Sequence, residues 1–394
     1  MEKHELVELL SADGLRLLDE LPPYDTAADV VRTVSELRAA GHPPALVAAV
    51  LSQSKLRKRA RDKFGDFADR MLFTEVGLEQ ATRLPVAAIH AQRFRAAGLG
   101  HIVDLGSGIG GDALAMAALD LTVTAVERDE VTAAIAAYNL APWSNADVVN
   151  AEVENVELDG FDGAWLDPAR RDGTKRLRNP ADWSPSLDFA FGVAGRLPTG
   201  IKLGPGIDRE LIPDSAEAQW VSAGGEVVEL GLWFGAVARP RIRRAALILG
   251  DRGSAELVAE TDSADVEVGP LGEYVYEPDG AVIRARLIGD LGRRIGATML
   301  SDRIAWLSSG TAVDTPFATR FRVTESLPYD LRALKKLVAA HGIGTLEIKK
   351  RGVDVDPAEL RKRLSPKGDA SATLILTRVA GRHTAILAER AQRN

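Results

Sequence analysis

The chain of 394 residues contains no cysteine and only six histidines. Without cysteine there are no disulfide bonds, no thiolate nucleophiles, and no zinc or iron–sulfur sites with cysteine ligands. The histidines are scattered and show no HxxxH or HExxH spacing, so the sequence predicts no metal site. Long apolar runs are also missing, since none reaches the roughly 18 residues of a membrane-spanning helix.

Hydrophobic residues make up 46% of the chain, which is enough for packed cores. The length predicts two or three domains. Residues 1–5 are charged and lead into an amphipathic helix, which is unlike a secretion signal. We therefore expect a folded, cytoplasmic protein.

The net charge of −7 is unevenly distributed. Residues 320–394 hold 16 Lys and Arg against 8 acids, whereas residues 1–319 hold 33 bases against 48 acids. A basic terminal segment on an acidic body is typical of a protein that binds a polyanion. A basic face that is merely solvated would give the same counts, so charge alone leaves both interpretations open.

The most informative segment is the glycine turn at residues 106–111. An apolar strand pattern at 101–105 precedes it, and a helical pattern at 112–119 follows it. Glycine at such a turn lets the backbone adopt positive φ and approach a ligand closely. The next strand ends at Glu127, 21 residues after Gly106, where a carboxylate can accept hydrogen bonds from ribose hydroxyls. The pattern predicts a nucleoside-cofactor pocket in a doubly wound α/β sheet.

Asp104 indicates which nucleoside cofactor to expect. Dinucleotide-binding proteins and methyltransferases that use S-adenosylmethionine (SAM) share the glycine pattern. Asp104 lies two residues before Gly106, so its carboxylate would bind the ammonium group of a methionyl moiety but repel a pyrophosphate. SAM is therefore the predicted cofactor, and an NAD-dependent oxidoreductase is the alternative.

A second strand-and-loop element, at residues 161–171, resembles motif IV of the class I SAM-dependent methyltransferases. In that family an Asp/Asn-Pro pair ends the fourth strand and faces the transferable methyl group. Asp167 and Pro168 form the matching pair here. The resemblance extends to Asn139, and to Glu152 where the family has an acidic residue beside the adenine.

The C-terminal part resembles the THUMP-like domain attached to a bacterial class of these methyltransferases. The strings at 347–352, 361–364 and 376–378 carry that resemblance. With the helical N-terminal part and motif IV, the match covers essentially the whole chain.

The resemblance implies three parts: an N-terminal helical region at 1–95, a SAM-binding methyltransferase domain at 96–250 and a THUMP-like domain at 251–394. The expected fold class is α/β, with a Rossmann-like seven-stranded methyltransferase sheet and a C-terminal α+β domain. The strands at 225–234 and 242–249 are predicted to form the antiparallel hairpin that ends the methyltransferase sheet.

The resemblance also assigns roles to single residues. The cofactor-binding residues that it implies are Asp104, Gly106, Gly108, Gly110, Glu127 and Glu152. Glu152 is placed beside the adenine, with Asp147 as its competitor because the local register is ambiguous. Asp167 would face the acceptor and accept a hydrogen bond from a target N–H, while Pro168 shapes the turn. Methyl transfer is an in-line displacement that depends on alignment and on exclusion of water, so it requires no metal and no nucleophilic side chain.

The predicted substrate is RNA, because THUMP domains proper occur in RNA-modifying enzymes. Two basic segments are expected to contact it, with Arg170 and Arg171 in a loop that carries five bases in nine residues, and Lys349, Lys350 and Arg351 at a strand end. A loop whose bases pair with nearby acids is the alternative for the first segment.

Arg170 occupies the position at which amino-methyltransferases of nucleic acids usually have a stacking aromatic residue, so the base and the acceptor atom stay open. A protein or small-molecule acceptor also stays open, as does a non-catalytic RNA-binding protein on the same fold.

Overall fold

The computed structural model describes residues 2–21, 26–168, 171–172, 175–176, 179–250 and 253–391. The chain forms two compact units, the first from Met1–Lys202 and Trp233–Ala238 and the second from Leu203–Leu232 and Arg239–Asn394. The α-helices of the described residues are Lys3–Leu9 (α1), Ala12–Glu20 (α2), Ala27–Ala39 (α3), Pro44–Phe64 (α4), Glu75–Gln80 (α5), Leu84–Ala96 (α6), Gly111–Ala118 (α7), Glu130–Leu140 (α8), Leu187–Ala194 (α9), Gly280–Arg284 (α10), Ile288–Ile295 (α11), Leu331–Ala340 (α12) and Pro357–Leu364 (α13). The strands are His101–Leu105 (β1), Thr122–Glu127 (β2), Ala146–Asn150 (β3), Gly163–Leu166 (β4), Arg171–Asp172 (β5), Lys175–Arg176 (β6), Thr199–Leu203 (β7), Glu217–Ala223 (β8), Glu226–Phe234 (β9), Arg244–Gly250 (β10), Gly253–Ala259 (β11), Tyr274–Pro278 (β12), Thr298–Met299 (β13), Leu307–Ser309 (β14), Ala318–Pro328 (β15), Ile343–Lys350 (β16), Ala370–Val379 (β17) and Arg382–Arg390 (β18). No helix in these ranges is both long enough and apolar enough to span a membrane.

The N-terminal region is helical, as its sequence pattern predicts. In α4 the buried positions Leu46, Val50, Arg57, Ala60 and Phe64 recur at helical spacing, which turns one face of the helix toward the core. Proline is tolerated at the start of this helix because the first-turn N–H groups have no partner within the helix. The core that this face enters also includes side chains of α7 and of the parallel sheet.

A parallel sheet in the order β3-β2-β1-β4-β7 forms the centre of the first unit. Its middle strand is buried along almost its whole length, which fits a strand covered on both faces. Leu105 is level with Val126 on one side and with Leu166 on the other, and Leu166 is level with Ile201. The residues that follow these strands therefore meet at one edge of the sheet, and the predicted α/β fold is confirmed.

The predicted hairpin between 225–234 and 242–249 is wrong. In the second unit the strand order is β11-β10-β8-β9, so β8 separates β9 from β10. The tight turn is Gly224-Gly225, whose φ angles of 62° and 85° require glycine. Strand β8 was not predicted because its buried positions include Glu217, which pairs with Arg239, and Gln219, which donates to Glu256.

The C-terminal part of the second unit is a seven-stranded sheet in the order β13-β14-β12-β15-β18-β17-β16. Its strand Ile343–Lys350 and helix Pro357–Leu364 hold most of the strings at 347–352 and 361–364, which carry the resemblance to a THUMP-like domain. Helices α12 and α13 pack their leucines against β16, β17 and β18 in one apolar cluster. This α+β arrangement is the one expected for the C-terminal domain.

Candidate functional site

A cavity of about 320 Å³ lies at the carboxyl edge of the parallel sheet. The ends of β1, β2 and β4 line it, together with α5 and the pair Ser184-Pro185. Six predicted site residues line this cavity: Asp104, Gly106, Gly108, Glu127, Glu152 and Asp167. Ligands of doubly wound sheets bind at this edge, so the cavity is the candidate cofactor site. The predicted residues Gly110 and Pro168 are not part of its lining.

The three predicted glycines play different parts in the turn. Gly106 and Gly108 have φ angles of 90° and 55° and line the cavity, and a Cβ on Gly108 would meet no atom within 4 Å. Gly110, with φ of 82°, precedes α7, where a Cβ would lie 3.4 Å from Leu140. The first two glycines therefore keep space open beside a ligand, whereas the third allows close packing of the helix.

The Glu127 carboxylate is held by two backbone N–H groups. Gly108 N donates to Oε2 at 3.1 Å, and Asp129 N donates to Oε1 at 2.8 Å. Each oxygen keeps a second lone pair, so the fixed carboxylate can still accept hydrogen bonds from two ribose hydroxyls. Glu152 also lines the cavity, whereas its competitor Asp147 lies inside β3 and does not.

Asp104 is 1% exposed, and its Oδ2 has no hydrogen-bond partner among the described residues. Burial, reinforced by the neighbouring carboxylates of Asp112 and Asp167, raises its pKa well above the usual range. Two other buried atoms of the cavity lining, Ser107 Oγ and Trp165 Nε1, also lack partners in this part of the chain. Such groups are rare in folded proteins and suit a ligand that supplies the missing partners.

These three atoms test whether the cavity fits SAM. An amino acid end carries an ammonium group, which complements Asp104, and a carboxylate, which complements the hydroxyl of Ser107 and the indole N–H of Trp165. A nucleoside end would lie toward Glu127 and Glu152. The residues present therefore fit SAM.

Asp167 belongs to a chain of polar contacts that the sequence did not reveal. Its Oδ2 lies 2.6 Å from Lys202 Nζ, and Lys202 also donates to Thr82 Oγ1 at 2.8 Å. Thr82 donates to Asp112 Oδ2 at 2.7 Å, and Asp112 Oδ1 lies 2.8 Å from His90 Nδ1. A lysine next to apolar residues, in Ile201-Lys202-Leu203, is the one signal that the sequence offers for these contacts.

The charged groups in this series of polar contacts, from Asp167 to His90, balance one another although they are largely buried. Burial alone would raise the pKa of Asp112, but the hydrogen bond and charge of His90 and the charge of Lys202 bring it below the usual range. The registered strand ends of β4 and β7 place Asp167 beside Lys202. Both partners are largely shielded from water, so their attraction is weakly screened.

The N-terminal helical region supplies one wall of the cavity through α5. Thr74 caps this helix by accepting a hydrogen bond from Gly77 N at 2.9 Å. Lys63 of α4 donates to three carbonyl oxygens at its end, those of Leu78, Glu79 and Ala81, at 2.7–2.8 Å. Burial and the nearby Lys202 and Arg83 charges lower the pKa of Lys63 to about 8. The wall is thus fixed from outside the cavity.

We expect the Lys63→Met variant to bind SAM about tenfold more weakly, because three carbonyl groups at the end of α5 lose their donor and the wall loosens. Isothermal titration calorimetry measures this change. Lys55→Met is the control, since Lys55 is exposed on the same helix. Equal SAM affinity in the two variants would mean that Lys63 does not hold the wall.

The predicted substrate-binding bases belong to both units, Arg171 to the first and Lys349, Lys350 and Arg351 to the second. Arg170 lies outside the described residues, and Arg171 begins a two-residue strand paired with Lys175–Arg176. In the second unit, Lys349 Nζ lies 2.7 Å from Glu277 Oε2, and Arg351 donates to the carbonyl of Ala305 at 2.7 Å.

Burial lowers the pKa of Arg351, which the Glu277 charge partly offsets. Lys350 is exposed at the end of the strand, and strand alternation places it on the face opposite Lys349 and Arg351. The three bases therefore form no common surface.

Among the described residues, no group of three or more histidine, aspartate or glutamate side chains could hold a metal ion.

Comparison with known proteins decides the family. Two proteins of Mycobacterium tuberculosis, both named as uncharacterized S-adenosylmethionine-dependent methyltransferases, are 34% identical to this chain over 339 residues. The match spans 82% of this chain and 90% of each relative. This chain belongs to the SAM-dependent methyltransferases. Its predicted enzyme class and its predicted cofactor, SAM, are thereby confirmed.

Two family models match parts of this methyltransferase. A model described as THUMP domain-like matches residues 318–390, which confirms the expected C-terminal domain, and a domain of unknown function (DUF8688) matches residues 4–60. The crystal structure of a candidate methyltransferase from Porphyromonas gingivalis has the same fold, with a TM-score of 0.73 at 22% identity. That similarity covers 94% of this chain and 100% of the other.

Proposed function

We propose that this methyltransferase transfers the methyl group of SAM to RNA, at an atom held beside Asp167. The observation that carries the proposal is the THUMP-like domain at 318–390, which lies in the segment where bases outnumber acids by two to one. Phosphate contacts by such bases supply most of the affinity for nucleic acid. SAM, when bound, supplies a methyl group activated by its sulfonium.

The roles of the cavity residues follow from their contacts. Asp104, Ser107 and Trp165 hold the amino acid end, because each has an unpaired buried polar atom. Glu127 holds the ribose through a carboxylate that backbone N–H groups already orient. Glu152 lies beside the adenine.

Asp167 and Pro168 form the acceptor side of the proposed site. Asp167 accepts a hydrogen bond from the target N–H, and its contact with Lys202 fixes the direction of that bond. Helix α5 closes the cavity on another side and helps to exclude water. Catalysis then consists mainly of alignment, which can contribute several kcal/mol to the lowering of the barrier.

A labelling experiment tests the acceptor. Purified enzyme is incubated with SAM carrying a tritiated methyl group and with total RNA from a strain that lacks the gene. We expect label that precipitates with RNA and that ribonuclease releases, and none with Asp167→Ala. Label in a protein or small-molecule fraction would reject RNA but retain the methyltransferase, and SAM binding without transfer to any fraction would indicate a non-catalytic RNA-binding protein.

A further inference from the structure

The outer surface of α12 and α13 carries a group of exposed bases, which we call the basic helical face. Its members are Arg332, Lys335, Lys336, Lys362, Arg363 and Lys367. None of the six forms an ion pair with an acid in the described part of the chain, which includes all of residues 253–391. Five of these unpaired cations lie on the two helices and Lys367 follows α13, so this surface is strongly positive.

The helical pattern explains why these bases point outward. In α12 the buried positions are Leu334, Leu337 and Val338, so Arg332 and Lys336, four residues apart, lie together on the opposite side. In α13 the buried positions Leu360 and Leu364 likewise leave the intervening bases in solvent. Both helices cover the same part of the sheet, which brings their outer surfaces side by side.

The acids at the starts of these helices cap them; backbone hydrogen bonds from Glu359 and Ala358 lower the pKa of Asp356, and the charge of Lys362 adds to this. The Asp330 carboxylate accepts from Ala333 N at 2.8 Å, and the Asp356 carboxylate accepts from Ala358 N and Glu359 N at 2.8 and 2.9 Å. They act as N-caps, and α12 itself contains no acid. Like charges three or four residues apart destabilise a helix, so the pattern does not serve the stability of the domain.

Several bases on the strands of this domain, unlike those of the basic helical face, form ion pairs with acids. Lys349 pairs with Glu277, Arg390 pairs with Glu347, and Arg320 pairs with Asp314. A paired base offers little net attraction to a phosphate, because binding must first replace the existing acid. The sequence motif at the end of β16 is therefore less suited to RNA than the helices that pack over it.

We propose that the basic helical face binds the phosphate backbone of the substrate RNA, and that Lys349 and Arg351 at the end of β16, which already have partners, do not. This inference rests on the proposed RNA substrate and adds the surface through which the THUMP-like domain holds it. Lysine and arginine side chains of such a surface contact phosphates, which orient the RNA but carry no sequence information. Target selection then depends on the cavity and its surroundings, whereas the face supplies affinity that is independent of sequence.

The test compares two variants that each remove two positive charges. Lys336→Gln/Lys362→Gln takes one base from each helix of the basic helical face. Arg378→Gln/Arg382→Gln is the matched control, because both arginines are exposed near the turn between β17 and β18 and neither belongs to the face. Binding of a fluorescein-labelled 30-nucleotide RNA of random sequence is followed by fluorescence anisotropy at several KCl concentrations.

We expect the face variant to bind this RNA about tenfold more weakly at about 0.1 M KCl, with the slope of log K against log [KCl] reduced by about 1.4. The control should change the affinity less than about twofold, and both variants should bind SAM like the wild type. An equal loss in the two variants would overturn the assignment of the face while leaving RNA as the substrate. Failure of the wild type to bind RNA at all would overturn both this inference and the proposed RNA substrate.

Discussion

Replacing Asp104 by asparagine should abolish tight SAM binding and, at the same time, stabilise the protein without ligand. Asp104 is buried and one of its oxygens has no partner. The amide keeps the shape of the carboxyl group but cannot neutralise an ammonium group. Loss of one partner of a buried charge pair costs about 3–5 kcal/mol, so the dissociation constant should rise by about two to nearly four orders of magnitude.

Asp104→Asn weakens SAM binding but should increase the stability of the protein without ligand. The pKa of Asp104 is raised in the folded protein, so the carboxyl group loses its proton more readily in the unfolded chain. Its contribution therefore becomes increasingly destabilising as the pH rises above the unfolded pKa of about 3.9. Asp104→Asn should melt at a higher temperature than the wild type at neutral pH. Asp147→Asn is the control, because Asp147 lies on β3 outside the cavity lining and should change neither quantity.

The raised pKa of Asp104 also makes SAM binding by the wild-type protein dependent on pH. Asp104 must be ionised to bind an ammonium group and its pKa is raised by burial, so SAM affinity should increase as the pH rises, until the SAM amine begins to lose its own proton. Calorimetry at several pH values measures the trend, and 5′-methylthioadenosine, which lacks the amino acid end, should show no such trend. A wild-type affinity that does not vary with pH would indicate that Asp104 does not contact the ammonium group.

The parts of the fold that could be predicted are those fixed by local patterns. The glycine turn, Glu127 and Asp167 each stand at the end of an apolar strand, and parallel strands bring such ends to one edge. Strand β8 escaped prediction because buried Glu217 and Gln219 interrupt its apolar pattern, and only their distant partners make them acceptable inside.

The site residues that the sequence did not predict are those whose roles depend on contacts between distant segments. Thr82, Lys202 and His90 come from a turn, a strand and a helix, and no spacing in the sequence connects them. For the bases at 349–351 the sequence leaves a related point open. A motif shows that charges are present but does not show whether acids such as Glu277 already pair with them.

The second large effect is expected at Asp167. Asp167→Ala should lower methyl transfer by about 10²-fold or more, because the acceptor loses the group that orients it. SAM affinity should stay equal or become tighter, since the Asp167 charge raises the pKa of Asp104 and its removal makes Asp104 easier to ionise. Rates of label transfer to RNA and calorimetric SAM affinities give the two quantities. Full turnover in Asp167→Ala would remove this residue from the reacting centre.

Lys202 should act through Asp167, as a positioning residue. Lys202→Met breaks the 2.6 Å contact and should lower transfer, whereas Lys202→Arg should restore part of it because it keeps a cation beside the carboxylate. The double variant Asp167→Ala/Lys202→Met should then transfer no more slowly than Asp167→Ala alone, since residues that act as one unit have non-additive effects. Additive losses would instead mean that Lys202 contributes to transfer independently of Asp167.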